Sequence, residues 1–581
     1  MQADEQTIRE QVTGYIDGVM SGEVVCGQMV RRAVERHLHD LEHGAARGLE
    51  FREDAAMMAI KFFPLLKHWK GEWAGKSFEL QSWQMFPLWC VFGWMRNDPA
   101  DGWVRRFRIA YNQLARKGGK TMLGAGVGLF LTIGDGEPAA EVYTAATKKD
   151  QARLAHRDAK QIVKASSGLR RIAEVSRDNI IVDATNSKYE PLGANADTLD
   201  GLSPSGVILD ELHAHKTREV FDVLDTATGA RRQPLMWIIT TAGVYRQESV
   251  CVEQFHHAEK VLEGFDKDDG LKDDEFFAYV AMLDKDDDWK DPAVWIKANP
   301  GLGITPKVSY IERQVQRATQ MVGLQNSVRT KNLNQWVQQE TALIDLDQWD
   351  QCKNIIPLDE LYGYDAYLGL DVSSRIDLTA LAATFAIPPD GRHYPEWMDG
   401  RKDYYYATVW FWVPNKTAEE KSKIDRVPYV AWSENEDFRL ELTDGDMIDQ
   451  EHIARQIEAI IQPMSVKQVG IDTWGVGWMV TRLQGMGLDV YDIMQSYQSL
   501  SEPTGFVKTA VNRRQFGHAG GAPLRWNVGN AAGEVNPSNP DQERISKKKS
   551  IERIDGIAAI INSLKCVLSH EAEPDFNPGI A

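Results

Sequence analysis

At 581 residues the chain is too long for one hydrophobic core and implies two or three domains, and 43% hydrophobic with 26% charged residues is the ordinary balance of a soluble globular protein. A formal net charge of -18 argues against a constitutive nucleic-acid coat, and any grip on a polyanion would need a local basic groove. The five cysteines lack CxxC spacing, which argues against a zinc site or a disulfide framework and fits a reducing cytoplasm; no basic-then-apolar leader opens the sequence, and the longest apolar run, 122–133, is too short to span a bilayer.

In chain order, residues 1–80 read as helical, with apolar residues three and four apart around Ile60, Phe63, Leu65 and Leu66. A strand over 107–111, a loop and a helix over 122–131 follow, with further strands at 140–144, 207–209 and 237–240 and helical stretches between. Strands alternating with helices predict a parallel α/β sheet. The stretch 266–291, rich in Asp (Asp268, Asp269, Asp273, Asp274, Asp286, Asp287, Asp288), reads as a solvated loop or subdomain edge. After about Asn334 the pattern changes to strands at 367–371, 379–387 and 404–413, the last two split by a turn bearing Pro388, Pro389 and Gly391. A helix at 453–461, a strand at 468–472, a helix at 479–483, a strand at 490–494 and a final helix from about 550 to 564 complete the chain. Three meander strands followed by alternating helices and strands are the order of a ribonuclease-H-like mixed α/β fold. The expected organisation is a helical region 1–80, a domain 81–345 built on the parallel α/β sheet, a linker 346–362 and a ribonuclease-H-like domain 363–581.

Arg116-Lys117-Gly118-Gly119-Lys120-Thr121 lies between a strand and an apolar helix. The glycines let backbone wrap a phosphate, Lys120 can reach the β- and γ-phosphates, Thr121 can ligand Mg²⁺, and the helix N-terminus favours anions. The first glycine of a usual P-loop is Leu114 here. Val207-Ile208-Leu209-Asp210-Glu211 is an apolar strand ending in two carboxylates, one suited to the Mg²⁺ shell and the other to polarising water. The bland alternative is a buried strand whose aspartate caps the next helix. Trp237 to Gly243 is a third buried strand, ending in the hydroxyls of Thr240 and Thr241, which either sense a γ-phosphate or cap a turn. Upstream, the amide of Gln84 can pair with a donor and an acceptor on adenine. His213 and His215, beside Glu211, fit a satisfied structural role better than a metal site.

The second half carries Gly369-Leu370-Asp371, Gly470-Ile471-Asp472 and Ile554-Asp555-Gly556. Two-metal phosphodiester hydrolysis needs carboxylates converging on cations about 4 Å apart. In a ribonuclease-H-like sheet the ends of the first and fourth strands are neighbours and the last helix passes over them, so Asp371, Asp472 and Asp555 can converge. Asp377 reads as a turn cap rather than a further carboxylate of that set. Lys547-Lys548-Lys549 is either a solvated patch or a contact for the DNA backbone.

Taken in order, Arg-Lys-Gly-Gly-Lys-Thr, Leu-Asp-Glu-Leu-His and Thr-Thr-Ala-Gly, followed by the aspartate-bearing half, resemble a tailed-bacteriophage large terminase subunit over nearly the whole chain. The family's deviant P-loop accounts for Leu114. The resemblance implies that Arg116, Lys117, Gly118, Gly119, Lys120 and Thr121 bind ATP, with Thr121 and Asp210 on Mg²⁺, Glu211 as catalytic base, Thr240 and Thr241 as coupling motif and Gln84 on adenine. It implies Asp371, Asp472 and Asp555 as catalytic ligands for Mg²⁺ or Mn²⁺, and an arginine finger among Arg116, Arg153, Arg157, Arg231 and Arg232. It further implies double-stranded DNA, a portal protein and a small terminase subunit as partners, a pentamer on the portal, no membrane, and the host cytoplasm as the place of work. The expected function is ATP-driven translocation of double-stranded DNA into a capsid, with cutting of concatemers. The alternatives are a helicase-nuclease of repair or restriction, and a capsid- or portal-associated protein that merely binds nucleotide.

Overall fold

The computed structural model describes residues 5–572 apart from 147–148, 194–200, 216, 246–248, 338–342, 373–377, 399, 401, 426, 473–475, 548–549 and 551–552. Asp377, Lys548 and Lys549 therefore lie outside the described residues. The chain divides into two compact units, Met1–Gln320 with Ser327–Val337, and Met321–Asn326 with Gln338–Ala581.

In the first unit, β1 (Ile109–Gln113), β2 (Glu141–Ala145), β3 (Glu174–Val175), β4 (Ile180–Val182), β5 (Ser187–Pro191), β6 (Gly206–Asp210), β7 (Leu235–Thr240) and β8 (Phe276–Val280) form one sheet among the described residues. Its order is β8-β1-β7-β6-β2-β5-β4-β3, parallel from β8 to β5. Gly-Val-Ile-Leu-Asp in β6 and Leu-Met-Trp-Ile-Ile-Thr in β7 are buried throughout. Such unbroken apolar runs suit parallel strands covered on both faces. Helix α1 (Lys120–Ile133) follows β1, and α2 (Val250–Gly264) follows β7. The N-terminal region forms helices Glu5–Ser21, Gln28–His43 and Glu53–Phe62, together with a strand, Leu49–Phe51, that pairs with Trp94–Asp98.

The acidic stretch 266–291 is the main departure from expectation. It contains β8, whose five residues Phe276 to Val280 are all buried beside β1. Its charges are largely partnered. Asp274 takes Arg47 at 2.7 Å and the fully buried Arg106 at 2.6 Å, and Lys297 holds Asp284 at 2.9 Å and Asp287 at 2.7 Å. The aspartates bracket the strand and masked its apolar run.

In the second unit, β9 (Asp365–Asp371), β10 (Thr379–Ile387), β11 (Tyr404–Pro414), β12 (Leu440–Thr443), β13 (Ser465–Ile471) and β14 (Val490–Asp492) run in the order β12-β11-β10-β9-β13-β14, and β15 (Phe516–His518) also pairs with β11. β9, β10 and β11 are antiparallel neighbours, whereas β13 is parallel to β9. That is the ribonuclease-H-like topology. The hairpin β16 (Gly533–Asn536) and β17 (Asn539–Ile545) precedes the last helix, α3 (Asp555–Ala572), which starts later than 550 and runs past 564. Segment 346–362, expected as linker, carries the helix Leu346–Gln351, whose Trp349 is fully buried and stacked on His518 at 4.0 Å inside the second unit.

Candidate active sites

Parallel register brings the carboxyl ends of β1, β7 and β6 level: Gln113 pairs with Thr240, and Ile239 with Asp210. Ligands of open α/β sheets sit at such ends. The loop from β1 reaches α1 through Lys117 at φ 69° and Gly119 at φ 80°. A left-handed residue at the helix N-cap is the conformation glycine adopts without strain, and it points the first amides of α1 into one cradle. The loop is pinned on three sides: Leu114 N–H donates to Thr240 O at 3.0 Å, Arg116 N–H to Lys331 O at 2.7 Å, and Thr305 hydroxyl to Lys117 O at 2.8 Å.

Lys120 is buried, donates to Thr241 Oγ1, and lies 3.6 Å from Glu211 Oε1. Burial lowers its pKa, with Glu211 and Asp210 acting against that shift. Thr121, half-buried, is the second residue of α1. Asp210 ends β6 with a buried Oδ1 that has no hydrogen-bond partner, and burial followed by Glu211 pushes its carboxyl up to about 7. Glu211 takes φ 55°, and its Oε2 is likewise buried without a hydrogen bond. These orphaned oxygens, set against a buried lysine, fit the oxygen-ligand demand of a divalent cation and the charge of a phosphate. Thr240 and Thr241 are fully buried.

Gln84 sits between a helix cap and the P-loop. Its Oε1 accepts from Gln81 N–H at 2.9 Å, closing a capping box on the helix Ser82–Gly93, while its Nε2 faces the P-loop, 3.8 Å from where a β-carbon on Gly119 would stand. Arg231 and Arg232 precede β7 and so lie at the opposite end of the sheet from this cradle, where Arg231 clamps Ser203 O at 2.8 Å and Glu137 at 3.2 Å. Arg116 is exposed on the loop itself, and Arg153 and Arg157 are exposed on the helix after β2.

The second site rests on two glycines. Strand alternation puts Gly369 and Asp371 of β9 on the face that α3 covers, and the same holds for Gly470 and Asp472 around the end of β13. A methyl group on Gly369 would overlap the Ala559 carbonyl, and one on Gly470 would stand 2.7 Å from Asn562 O. Only glycine admits the helix so close, and Asn562 then donates to Leu370 O at 2.8 Å. This seating carries Asp555, the first residue of α3, to the strand ends, where the register Leu370–Ile471 makes Asp371 and Asp472 neighbours.

Lys547 Nζ stands between two of the aspartates, 2.6 Å from Asp371 Oδ1 and 3.5 Å from Asp555 Oδ1. Asp371 Oδ2 and Asp555 Oδ2 remain buried without hydrogen bonds. Burial, then the charge of Asp371, raises the Asp555 carboxyl; burial opposes the Lys547 charge, but Asp371 and Asp555 outweigh it and hold the ammonium above its ordinary range. Two carboxylates gathered around one cationic group fit a divalent cation in the place of that ammonium. Among the described residues no set of three His, Cys, Asp or Glu side chains is close enough to hold one metal ion, so Asp472 neighbours the pair without completing a cluster. The Lys547 contact had no local signal, since 176 residues separate it from Asp371.

Residues 82–260 match the family model of the terminase large subunit ATPase domain, and residues 270–571 match that of the terminase large subunit endonuclease domain. The chain belongs to the terminase large subunits. Protein YmfN of Escherichia coli K12 is 31% identical over 386 residues, 66% of this chain and 81% of the relative. The terminase large subunit of Enterobacteria phage HK97 is 27% identical over 463 residues, 78% of this chain and 86% of that one. The crystal structure of the HK97 bacteriophage large terminase aligns with 25% identity and a TM-score of 0.42, covering 88% of this chain and 99% of that chain. As a terminase large subunit, the protein is a phage DNA-packaging motor that hydrolyses ATP and cuts DNA, using nucleotide and divalent metal. This terminase has no helix, among its described residues, long and apolar enough to cross a membrane.

Proposed function

We propose that the two sites divide the work of this terminase by residue as follows. Around nucleotide, the amides and side chains of Arg116 to Thr121 hold the phosphates, Lys120 exchanging Thr241 for a phosphate oxygen. Thr121 and Asp210 hold Mg²⁺, Glu211 Oε2 takes a proton from the attacking water, and Thr240 and Thr241 pass the state of the site to α2. Gln84 offers its Nε2 to adenine while its oxygen stays on the helix cap. In the second unit Asp371, Asp472 and Asp555 hold Mg²⁺ or Mn²⁺ and cut the concatemer. Bound in these places, the cations neutralise phosphate charge.

The finer partners are a portal protein, a small terminase subunit and double-stranded DNA drawn into the capsid, with a pentamer on the portal working in the host cytoplasm. The observation that supports this reading is the pair of separate carboxylate–ammonium centres, Lys120 with Glu211 at 3.6 Å and Lys547 with Asp371 at 2.6 Å, each at the carboxyl end of its own sheet. Lys120→Ala is expected to abolish ATP hydrolysis while metal-dependent cutting persists, and Asp371→Ala to do the reverse. Hydrolysis by the first variant, or cutting by the second, would overturn the respective assignment.

A further inference from the structure

His213 stands where the two halves of the ATPase chemistry meet. Its Nδ1 is 3.3 Å from Thr240 Oγ1 and 3.1 Å from Glu211 Oε2, and its backbone N–H donates to the same Thr240 oxygen at 3.1 Å. Thr240 Oγ1 also has Thr241 O at 3.3 Å and Cys251 Sγ at 3.6 Å to take its proton, which leaves its oxygen able to accept from an imidazole Nδ1–H. Glu211 Oε2, 3.1 Å from the same Nδ1, has no hydrogen bond. Burial lowers the His213 pKa to about 4, so the ring is neutral with one N–H to share.

We infer that His213 is a positioning residue whose Nδ1–H moves between Thr240 and Glu211, linking the orientation of the water-activating carboxylate to the segment that leads into α2. With Lys120 on Thr241 and 3.6 Å from Glu211, the ring serves Thr240. When a phosphate draws Lys120 away, Glu211 loses its cation, and the imidazole N–H turns to Oε2 and fixes the carboxylate. Thr240 is released by the same movement. The link rests on the proposed role of Glu211 and extends it.

The test uses the full chain with ATP and Mg²⁺, reading kcat, KM and thermal midpoint for His213→Ala, His213→Asn, His213→Gln, Thr240→Val and the His213→Ala/Thr240→Val double variant. The Asn amide reproduces the Nδ1–H, whereas the Gln amide reaches the Nε2 position. Expected is a fall in kcat of about 10- to 100-fold for Ala and Gln with KM within about twofold, recovery to within about threefold in Asn, and a double variant no slower than the worse single one. Wild-type kcat in His213→Ala, equal losses in Asn and Gln, or multiplying losses in the double variant would each overturn the inference. Glu211→Gln separates the two readings. If it still hydrolyses ATP, the role of Glu211 itself fails; if it is inactive while His213→Ala is not, only the link fails.

Discussion

At the scale of single residues, both sites gather buried charge before any ligand arrives. The Asp210 carboxyl, held near 7 by burial and by Glu211, lies above its unfolded value of 3.8. A carboxyl raised in the folded state keeps its proton there. Its contribution to stability is therefore present below the unfolded pKa and is lost as pH climbs through 7. Asp210→Asn removes that loss, so without divalent cations its gain in unfolding free energy at pH 8 is expected to exceed its gain at pH 5 by about 3 kcal/mol. Denaturant titrations at both pH values check this, and an equal gain at each would mean that Asp210 is not held protonated. At the other site the Lys547 ammonium already holds the carboxylates proposed to take a cation. Lys547→Ala is expected to tighten Mn²⁺ binding about tenfold at pH 8, read as free Mn²⁺ by electron paramagnetic resonance. Unchanged or weaker Mn²⁺ affinity would show that the ammonium does not compete there.

At the scale of elements, α3 is placed by absence of side chains as much as by its apolar stripe. Its own Ile557, Ile561 and Leu564 are fully buried, and Gly369 and Gly470 let its backbone settle onto β9 and β13. Gly369→Ala forces the helix off the strand at a cost of about 3 kcal/mol. It is expected to lift Asp555 away from Asp371 and cut nuclease activity about 100-fold, leaving ATP turnover at its wild-type rate. Cleavage at the normal rate in this variant would mean that the helix does not set the site. The loop between β1 and α1 shows a related logic, with Gly119 at φ 80° spending glycine's freedom on the helix N-cap.

At the scale of the whole molecule, the two units close separate cores. One spans the first sheet and its helices, and the other lies on the two faces of the ribonuclease-H-like sheet. Nucleotide at about 100 times its Kd stabilises the state that binds it by about 2.7 kcal/mol. Hydrogen exchange is expected to slow about 100-fold in the slowest amides of β1, β6 and β7, while β9 and β13 keep their nucleotide-free rates. Equal slowing in both sheets would refute separate cores.

The sequence by itself determined the local parts. Val-Ile-Leu before Asp210-Glu211, the Gly-Lys-Thr turn at Lys120 and the Gly-x-Asp pairs at Asp371 and Asp472 are short-range patterns, and they carried the family and both folds. Residue types within a few positions fix whether a segment is strand or helix and where a phosphate or carboxylate can stand. Only the tertiary structure decided that β7 slots between β1 and β6, that Phe276–Val280 is a buried strand despite its aspartates, and that Lys547 and His213 face the carboxylates they do. Those facts depend on residues tens to hundreds of positions apart meeting in one core, and no periodicity along the chain records which strand lies beside which.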